Sequence, residues 1–215
     1  MRSDAFLTQM KQHCPGSMEP QRQSAVLLPF VAVQGRWHLL LEERAHTLRA
    51  QPGELCLPGG GMDPGERPGQ AALRECCEEL LIRPEQLELW GLGDVLTTPS
   101  GRTIHTALAQ LRDYAGTFSP QEVHSMFTVP VDWLLEHPPL RFDSAVTTHP
   151  QPGFPQEWVP GGENYPWSQG RWPIFFYPPY QGRRIWGITA KILLHSLELV
   201  QRLGGLPPVP GEAEP

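Results

Sequence analysis

The stretch Leu57-Pro58-Gly59-Gly60-Gly61-Met62-Asp63-Pro64-Gly65-Glu66-Arg67-Pro68-Gly69-Gln70-Ala71-Ala72-Leu73-Arg74-Glu75-Cys76-Cys77-Glu78-Glu79-Leu80-Leu81-Ile82 decides how this chain is read. A helix turns about 100° per residue, so Glu75, Glu78 and Glu79 share an arc of about 100°. Ala72, Cys76 and Leu80, flanked by Leu73 and Cys77, form the opposite stripe, and 69–82 reads as a half-buried amphipathic helix. Like charges three and four residues apart repel, and the negative end of the helix dipole adds to the cost. Hard divalent cations such as Mg²⁺ and Mn²⁺ prefer carboxylate oxygens and remove that repulsion when they fill such a cluster. Taken alone, the same three residues also describe an ordinary solvated acidic face.

The surrounding spacing narrows the choice. From Gly60 the order is five residues, Glu66, seven residues, Arg74-Glu75, a small apolar residue, one further residue, Glu78-Glu79, one residue, then Leu81-Ile82. This resembles the Nudix box at each polar position. Leu81 stands where the family pattern has glycine, which eases a left-handed helix cap, so an altered turn is expected there with the acidic face untouched. Upstream, Leu40-Leu41-Glu42-Glu43-Arg44-Ala45, three residues, Arg49, three residues, Gly53, three residues and Leu57-Pro58-Gly59-Gly60 is similar to the motif preceding the box in coenzyme A diphosphatases. Glu42 replaces a Thr of that motif and Leu57 a Phe. Pro120-Gln121-Glu122-Val123 with Phe127-Thr128-Val129-Pro130-Val131 resembles the same subfamily's segment leading into a short helix, and Arg184-Ile185-Trp186-Gly187-Ile188-Thr189-Ala190 its last strand and the start of its terminal helix. The resemblance spans 25–203.

What the resemblance implies is specific. The fold class is α/β, the Nudix fold, a mixed β-sheet sandwiched between α-helices. Glu75, Glu78 and Glu79, with the Gly60 carbonyl, are the implied holders of Mg²⁺ or Mn²⁺, and Glu66 ties the loop of the box to its helix. Arg74 is implied to orient a carboxylate, and Glu79 or Glu122 to take the proton of the attacking water, a choice the sequence leaves open. The implied substrate is coenzyme A or an acyl derivative, cut to adenosine 3′,5′-bisphosphate and 4′-phosphopantetheine. Alternatives are ADP-ribose, a dinucleotide or a nucleoside triphosphate, and then a silent binding module, against which the full set of box carboxylates speaks. Arg44 and Arg49 suit two-point contacts with phosphate oxygens, surface solvation being the other reading. His46, His105 and His124 show no ligand pairing in sequence, so packing or surface roles are expected for each.

Composition sets limits. At 215 residues the chain suits one domain with a full core. A net charge of -6 argues against gripping nucleic acid by backbone charge, and the expected partner is a small nucleoside diphosphate derivative, with a homodimer allowed. No apolar run approaches bilayer length, Met1-Arg2-Ser3-Asp4 opens no signal peptide, and the C-terminus carries no peroxisomal address, so no membrane partner and a cytoplasmic setting are expected. Cys14, Cys56, Cys76 and Cys77 lack C-x-x-C spacing and read as reduced thiols.

Along the chain, 1–22 reads as a polar N-terminal extension with a weak helical pattern, 23–205 as the domain, and 206–215 as a flexible tail. Segments 25–33 and 37–41 read as strands joined at Gln34-Gly35-Arg36, with further strands at 90–96, 103–111 and 173–177 and a helix over 190–203. Between them 149–172 reads as a long loop. Its aromatics Phe154, Trp158, Tyr165, Trp167 and Trp172 suit either stacking on an adenine or a local plug.

Overall fold

The computed structural model describes residues 2–14 and 21–210. In chain order the elements are α1 (Arg2–Gln12), β1 (Arg22–Val33), β2 (Arg36–Arg44), β3 (Leu55–Cys56), β4 (Gly59–Gly61), α2 (Pro68–Leu80), β5 (Leu87–Thr97), β6 (Arg102–Leu111), β7 (Val123–Pro130), α3 (Val131–Glu136), β8 (Leu140–Thr147), β9 (Gln169–Phe176) and α4 (Gly187–Arg202). The main sheet runs β3-β2-β1-β6-β5, with β4 paired to β1 and β7 to β2. Since β1 and β6 are parallel and the other pairs antiparallel, the sheet is mixed.

Strand periodicity sorts the core into two layers. From β1, Ala25, Leu27 and Val31 pack with Ala72, Cys76 and Leu80 of α2. Leu28 and Phe30 point the other way, onto Leu134 of α3 and Ile192, Leu193 and Leu197 of α4. Helices therefore cover both faces, as the α/β sandwich requires. Within the second layer Phe30, Trp37 and Trp90 meet with ring centroids 5.1 to 6.4 Å apart. Such aromatic pairs contribute about 0.5–1.5 kcal/mol each beyond their buried area.

Pro29 lies within a central strand, where a missing N–H is costly. Leu27 N–H donates to Pro58 O at 2.8 Å, so by alternation the nitrogen of residue 29 faces the same edge. The ladder to β2 stops at Phe30, so the proline occupies the gap between pairing with β4 and pairing with β2.

Three expectations are corrected. The loop read as 149–172 ends at 168, because 169–172 belong to β9, which pairs with β8 in a separate two-stranded sheet. The segment 206–210, read as flexible tail, is held on the core: Trp37 Nε1 donates to Pro207 O at 2.7 Å, and Val209 is buried. Residues 211–215 lie outside the described residues. The turn after α2 is not altered by the loss of glycine, since Leu81 itself adopts φ 52°, ψ 45°.

That left-handed conformation lets Leu81 N–H and Ile82 N–H both close on Cys77 O, capping the helix. An L-residue there costs about 1–2 kcal/mol, and glycine avoids this while losing about 0.5–1 kcal/mol to chain entropy. At 59% exposed, the leucine recovers little by packing. Leu81→Gly is therefore expected to stabilise the fold by about 0.5–1 kcal/mol. A urea midpoint that rises at constant slope would verify it; a lower midpoint would show that the leucine contacts outweigh the strain.

Candidate functional site

The acidic helix starts behind a fixed turn. Pro68 occupies its first turn, and Arg67 N–H donates to Gln70 Oε1 at 3.1 Å. Ahead of it Glu66 Oε2 accepts Asp63 N–H at 2.9 Å. Arg74 Nε and Nη2 donate to both oxygens of Glu66 at 2.9 and 3.0 Å, in a two-point contact. The same guanidinium reaches Gly61 O at 3.0 Å, Glu75 Oε1 at 2.9 Å and Glu78 Oε2 at 3.5 Å. Arg74 thus clamps the loop to the helix and fixes two of the acidic side chains. Its hydrogen bond and that of Asp63 N–H hold the Glu66 carboxyl below the usual carboxylate range.

Glycine chemistry shapes the other wall. Gly59 has φ 155°, and a Cβ there would stand 2.4 Å from Ala25 O. Free of that clash, Gly59 N–H donates to Glu79 Oε2 at 2.7 Å. At Gly60 a Cβ would lie 2.3 to 2.5 Å from all three atoms of the Glu75 carboxyl. Only a bare backbone lets that carboxylate lie against the strand.

The carboxylates differ in exposure. Glu79 is buried, Glu75 is half-buried, and the Glu78 side chain is 59% exposed. Burial pushes the Glu79 carboxyl well up, and the negative charges of Glu42, Glu122 and Glu75 push it further against the Gly59 hydrogen bond. Burial likewise raises Glu75, opposed by Arg74 and reinforced by Glu78 and Glu122. Glu122 is near enough to act on both by charge, and the segment before it is tied to the end of α2. Thr117 Oγ1 donates to Leu80 O and Ser119 N–H to Glu79 O, each at 2.7 Å, satisfying carbonyls that the helix end leaves open.

Glu42 belongs here too, a role the sequence reading did not give it. It is 1% exposed, accepts Cys56 Sγ–H at 3.1 Å through Oε1, and has no hydrogen-bond partner at Oε2. Burial raises its carboxyl, with Cys56 and Arg44 opposing. The sequence offered only that Glu42 shares a face of β2 with Leu40; that this face packs against α2 is given by the fold.

Oxygen-only donors, a Gly60 cradle and carboxylates raised by one another fit a hard divalent cation. Among the described residues the three box carboxylates are not drawn together within 4.8 Å, Arg74 holding Glu75 and Glu78 aside. Beside them a cleft of about 160 Å³ is lined by Arg44, Gln51, Cys56, Gly59, Arg102 and Thr189, among others. Arg44 Nε donates to Ala50 O at 3.3 Å, which sets the guanidinium on the cleft wall. Arg49 is exposed and does not line it. A larger cavity of about 880 Å³, lined by Val33, Tyr114 and Met126, contains none of the box residues. In the long loop Trp167 packs on Phe154 at 5.5 Å and on Tyr165 at 4.8 Å, whereas Trp158 is 81% exposed.

Comparison with known proteins gives the same family. The NUDIX domain model matches residues 21–149. Nudix hydrolase 3 of Caenorhabditis elegans is 31% identical over 182 residues, covering 82% of this chain and 72% of that protein. The Nudix hydrolase NudL of Pectobacterium atrosepticum is 30% identical over 203 residues, 90% of this chain and 92% of that one. The peroxisomal coenzyme A diphosphatase NUDT7 of Mus musculus is 34% identical over 132 residues, 57% of this chain and 52% of the mouse protein.

Proposed function

Because the chain belongs to the Nudix family of hydrolases, enzymes that cleave phosphoanhydride bonds, we propose that it hydrolyses coenzyme A or acyl-coenzyme A to adenosine 3′,5′-bisphosphate and (acyl-)4′-phosphopantetheine. The observation that carries the reading is one helix face bearing Glu75, Glu78 and Glu79, with Glu75 against Gly60 and Glu79 hydrogen-bonded to Gly59, next to a cleft walled by Arg44. The upstream arginine motif and the similarity to the mouse diphosphatase favour coenzyme A over other anhydrides.

In this reading Glu75, Glu78, Glu79 and the Gly60 carbonyl hold Mg²⁺ or Mn²⁺. Such ions neutralise diphosphate charge and make water a better nucleophile at neutral pH. Arg74 keeps Glu75 and Glu78 in position through its contacts of 2.9 and 3.5 Å. Arg44, on the cleft wall, receives phosphate oxygens of the substrate, and Arg49, outside the cleft, is assigned the same role on the upstream motif alone. Glu79 or Glu122 accepts the proton as water attacks phosphorus in line. Glu122 is exposed and is the freer of the two to exchange protons with solvent.

A cytoplasmic setting is part of the proposal. Its support is the sequence alone, whose opening residues resemble no signal peptide and whose four cysteines lack C-x-x-C spacing. A homodimer remains an expectation for light scattering to test. The experiment on substrate is a panel of coenzyme A, acetyl-coenzyme A, ADP-ribose, NADH and dGTP with Mg²⁺ or Mn²⁺. Coenzyme A or its ester is expected to give the highest kcat/KM by at least about tenfold, a difference of about 1.4 kcal/mol. A preference for ADP-ribose, NADH or dGTP would remove the coenzyme A assignment and keep the family.

A further inference from the structure

Sequence spacing suggested no ligand pairing for the histidines, yet the fold gathers two of them. Among the described residues Glu43, His46 and His124 bring one ligand atom each to within 4.8 Å of one another. The His46 and His124 rings lie 4.5 Å apart at 63°. Glu43 belongs to β2, His46 follows that strand by two residues, and His124 is near the start of β7.

Local backbone geometry explains the meeting. The β2–β7 ladder pairs Glu43 with Ser125 and Arg44 with Val123, so a bulge leaves His124 without an opposite residue. A bulge re-aims the extra side chain, here towards the ring of His46. Ala45 N–H donates to Glu122 O at 2.9 Å, holding the following loop to β7. Gly53, returning along that loop, lies so close that a Cβ would stand 2.8 Å from His46 Cε1 and 2.9 Å from Nδ1. The opposite edge, Nε2, is left facing Glu43 Oε1 at 3.5 Å. Ser125 Oγ donates to Glu43 Oε2 at 2.9 Å, which keeps Oε1 turned to the imidazole. A metal-binding carboxylate is held by this kind of outer hydrogen bond.

Two imidazole nitrogens and one carboxylate oxygen suit a borderline divalent ion of the zinc class, with a fourth position open to water. In a tetrahedral zinc site neighbouring ligand atoms sit about 3.3 Å apart, so the three groups need to close in by on the order of 1 Å. His46 and His124 are exposed, and side-chain rotation supplies that movement. This set is distinct from the oxygen-only face: strand alternation puts Glu42 towards α2 and Glu43 on the other side of the sheet.

We propose that Glu43, His46 and His124 bind one Zn²⁺, which staples loop 45–54 to the start of β7. The loop supplies Ala50, Gln51 and Glu54 to the cleft wall, and β7 begins one residue after Glu122. Occupation of the site therefore stiffens one rim of the cleft from outside it.

The test uses the full chain with Mg²⁺ in large excess, so that the carboxylate face is saturated. Zn²⁺ is titrated against a chromophoric chelator, and Co²⁺ is followed by its visible absorption. Wild type is expected to take up one Zn²⁺ more than the His46→Gln/His124→Gln double variant. Zn²⁺ is also expected to slow amide exchange across 45–54 in wild type alone. Equal Zn²⁺ uptake by the two proteins overturns the proposal. If the double variant fails to fold, Ser125→Ala decides: binding weakened about tenfold upholds the site, and unchanged affinity overturns it.

Discussion

Glu79→Gln is expected to lower turnover by on the order of 10³-fold and, in the metal-free protein, to raise the melting temperature. The first effect follows from replacing a carboxylate that is both an assigned ligand and a candidate proton acceptor. The second follows from what holds Glu79 when no cation is bound. It is 5% exposed, takes one hydrogen bond from Gly59 N–H, and faces the carboxyl of Glu42. An amide of the same shape keeps an oxygen for Gly59 and removes the cost of holding that carboxyl protonated, or of burying its charge, above the ordinary carboxylate range. At neutral pH that is worth about 1–2 kcal/mol, or about 2–8 °C in a domain of this size. Glu78→Gln separates the two effects, because a side chain 59% exposed should lose turnover with little change in stability. Calorimetry on metal-free protein, beside kcat/KM measured with Mg²⁺, reads both. Activity within tenfold of wild type in Glu79→Gln would remove that residue from the catalytic machinery. A fall in melting temperature would show that its charge stabilises the fold.

The carboxylate face was legible because its information is local. Glu75, Glu78 and Glu79 share one helix, and helical pitch alone sets them side by side. Arg74 and Glu66 follow from spacing along the same segment. The first strand and the last helix were legible for the same reason, through the apolar run of β1 and the helical spacing of α4. What was not legible depends on contacts between distant segments. Glu42 becomes a site residue only when β2 lies under α2, and the His46–His124 pair exists only through a bulge in a ladder joining segments far apart in sequence. β8 was missed for another reason: six of its first residues are exposed, so no buried face imprints an alternation on Leu140–Thr147. Leu81 shows the limit of reading a departure as a change, since backbone geometry overruled side-chain preference.

Metal-free protein is expected to lose stability steadily as pH rises above about 5, and Mg²⁺ or Mn²⁺ to restore it by an increment that grows with pH. In the folded chain burial and mutual repulsion raise the carboxyls of Glu79 and Glu42, and burial raises that of Glu75. Once the unfolded chain has lost these protons the folded chain still binds them. The folded state then carries more protons, so the unfolding free energy falls with rising pH. The stability these groups contribute is complete below their unfolded pKa and lost as pH climbs through the raised folded values. Glu66 acts in the opposite sense, because Arg74 lowers its folded pKa; its share is present above the ordinary carboxylate range and lost only in acid. Together the two trends set a maximum near pH 5 and a decline on its alkaline side of on the order of 2–4 kcal/mol. Bound cations cancel the buried charge and add stability through mass action, most where the carboxylates are fully ionised. Urea unfolding between pH 5 and pH 9, with EDTA and then with excess Mg²⁺, measures both curves. A flat EDTA curve would mean that Glu42 and Glu79 ionise in the fold without cost. A Glu42→Gln/Glu79→Gln variant should flatten it, and a slope persisting there would assign the decline to other groups.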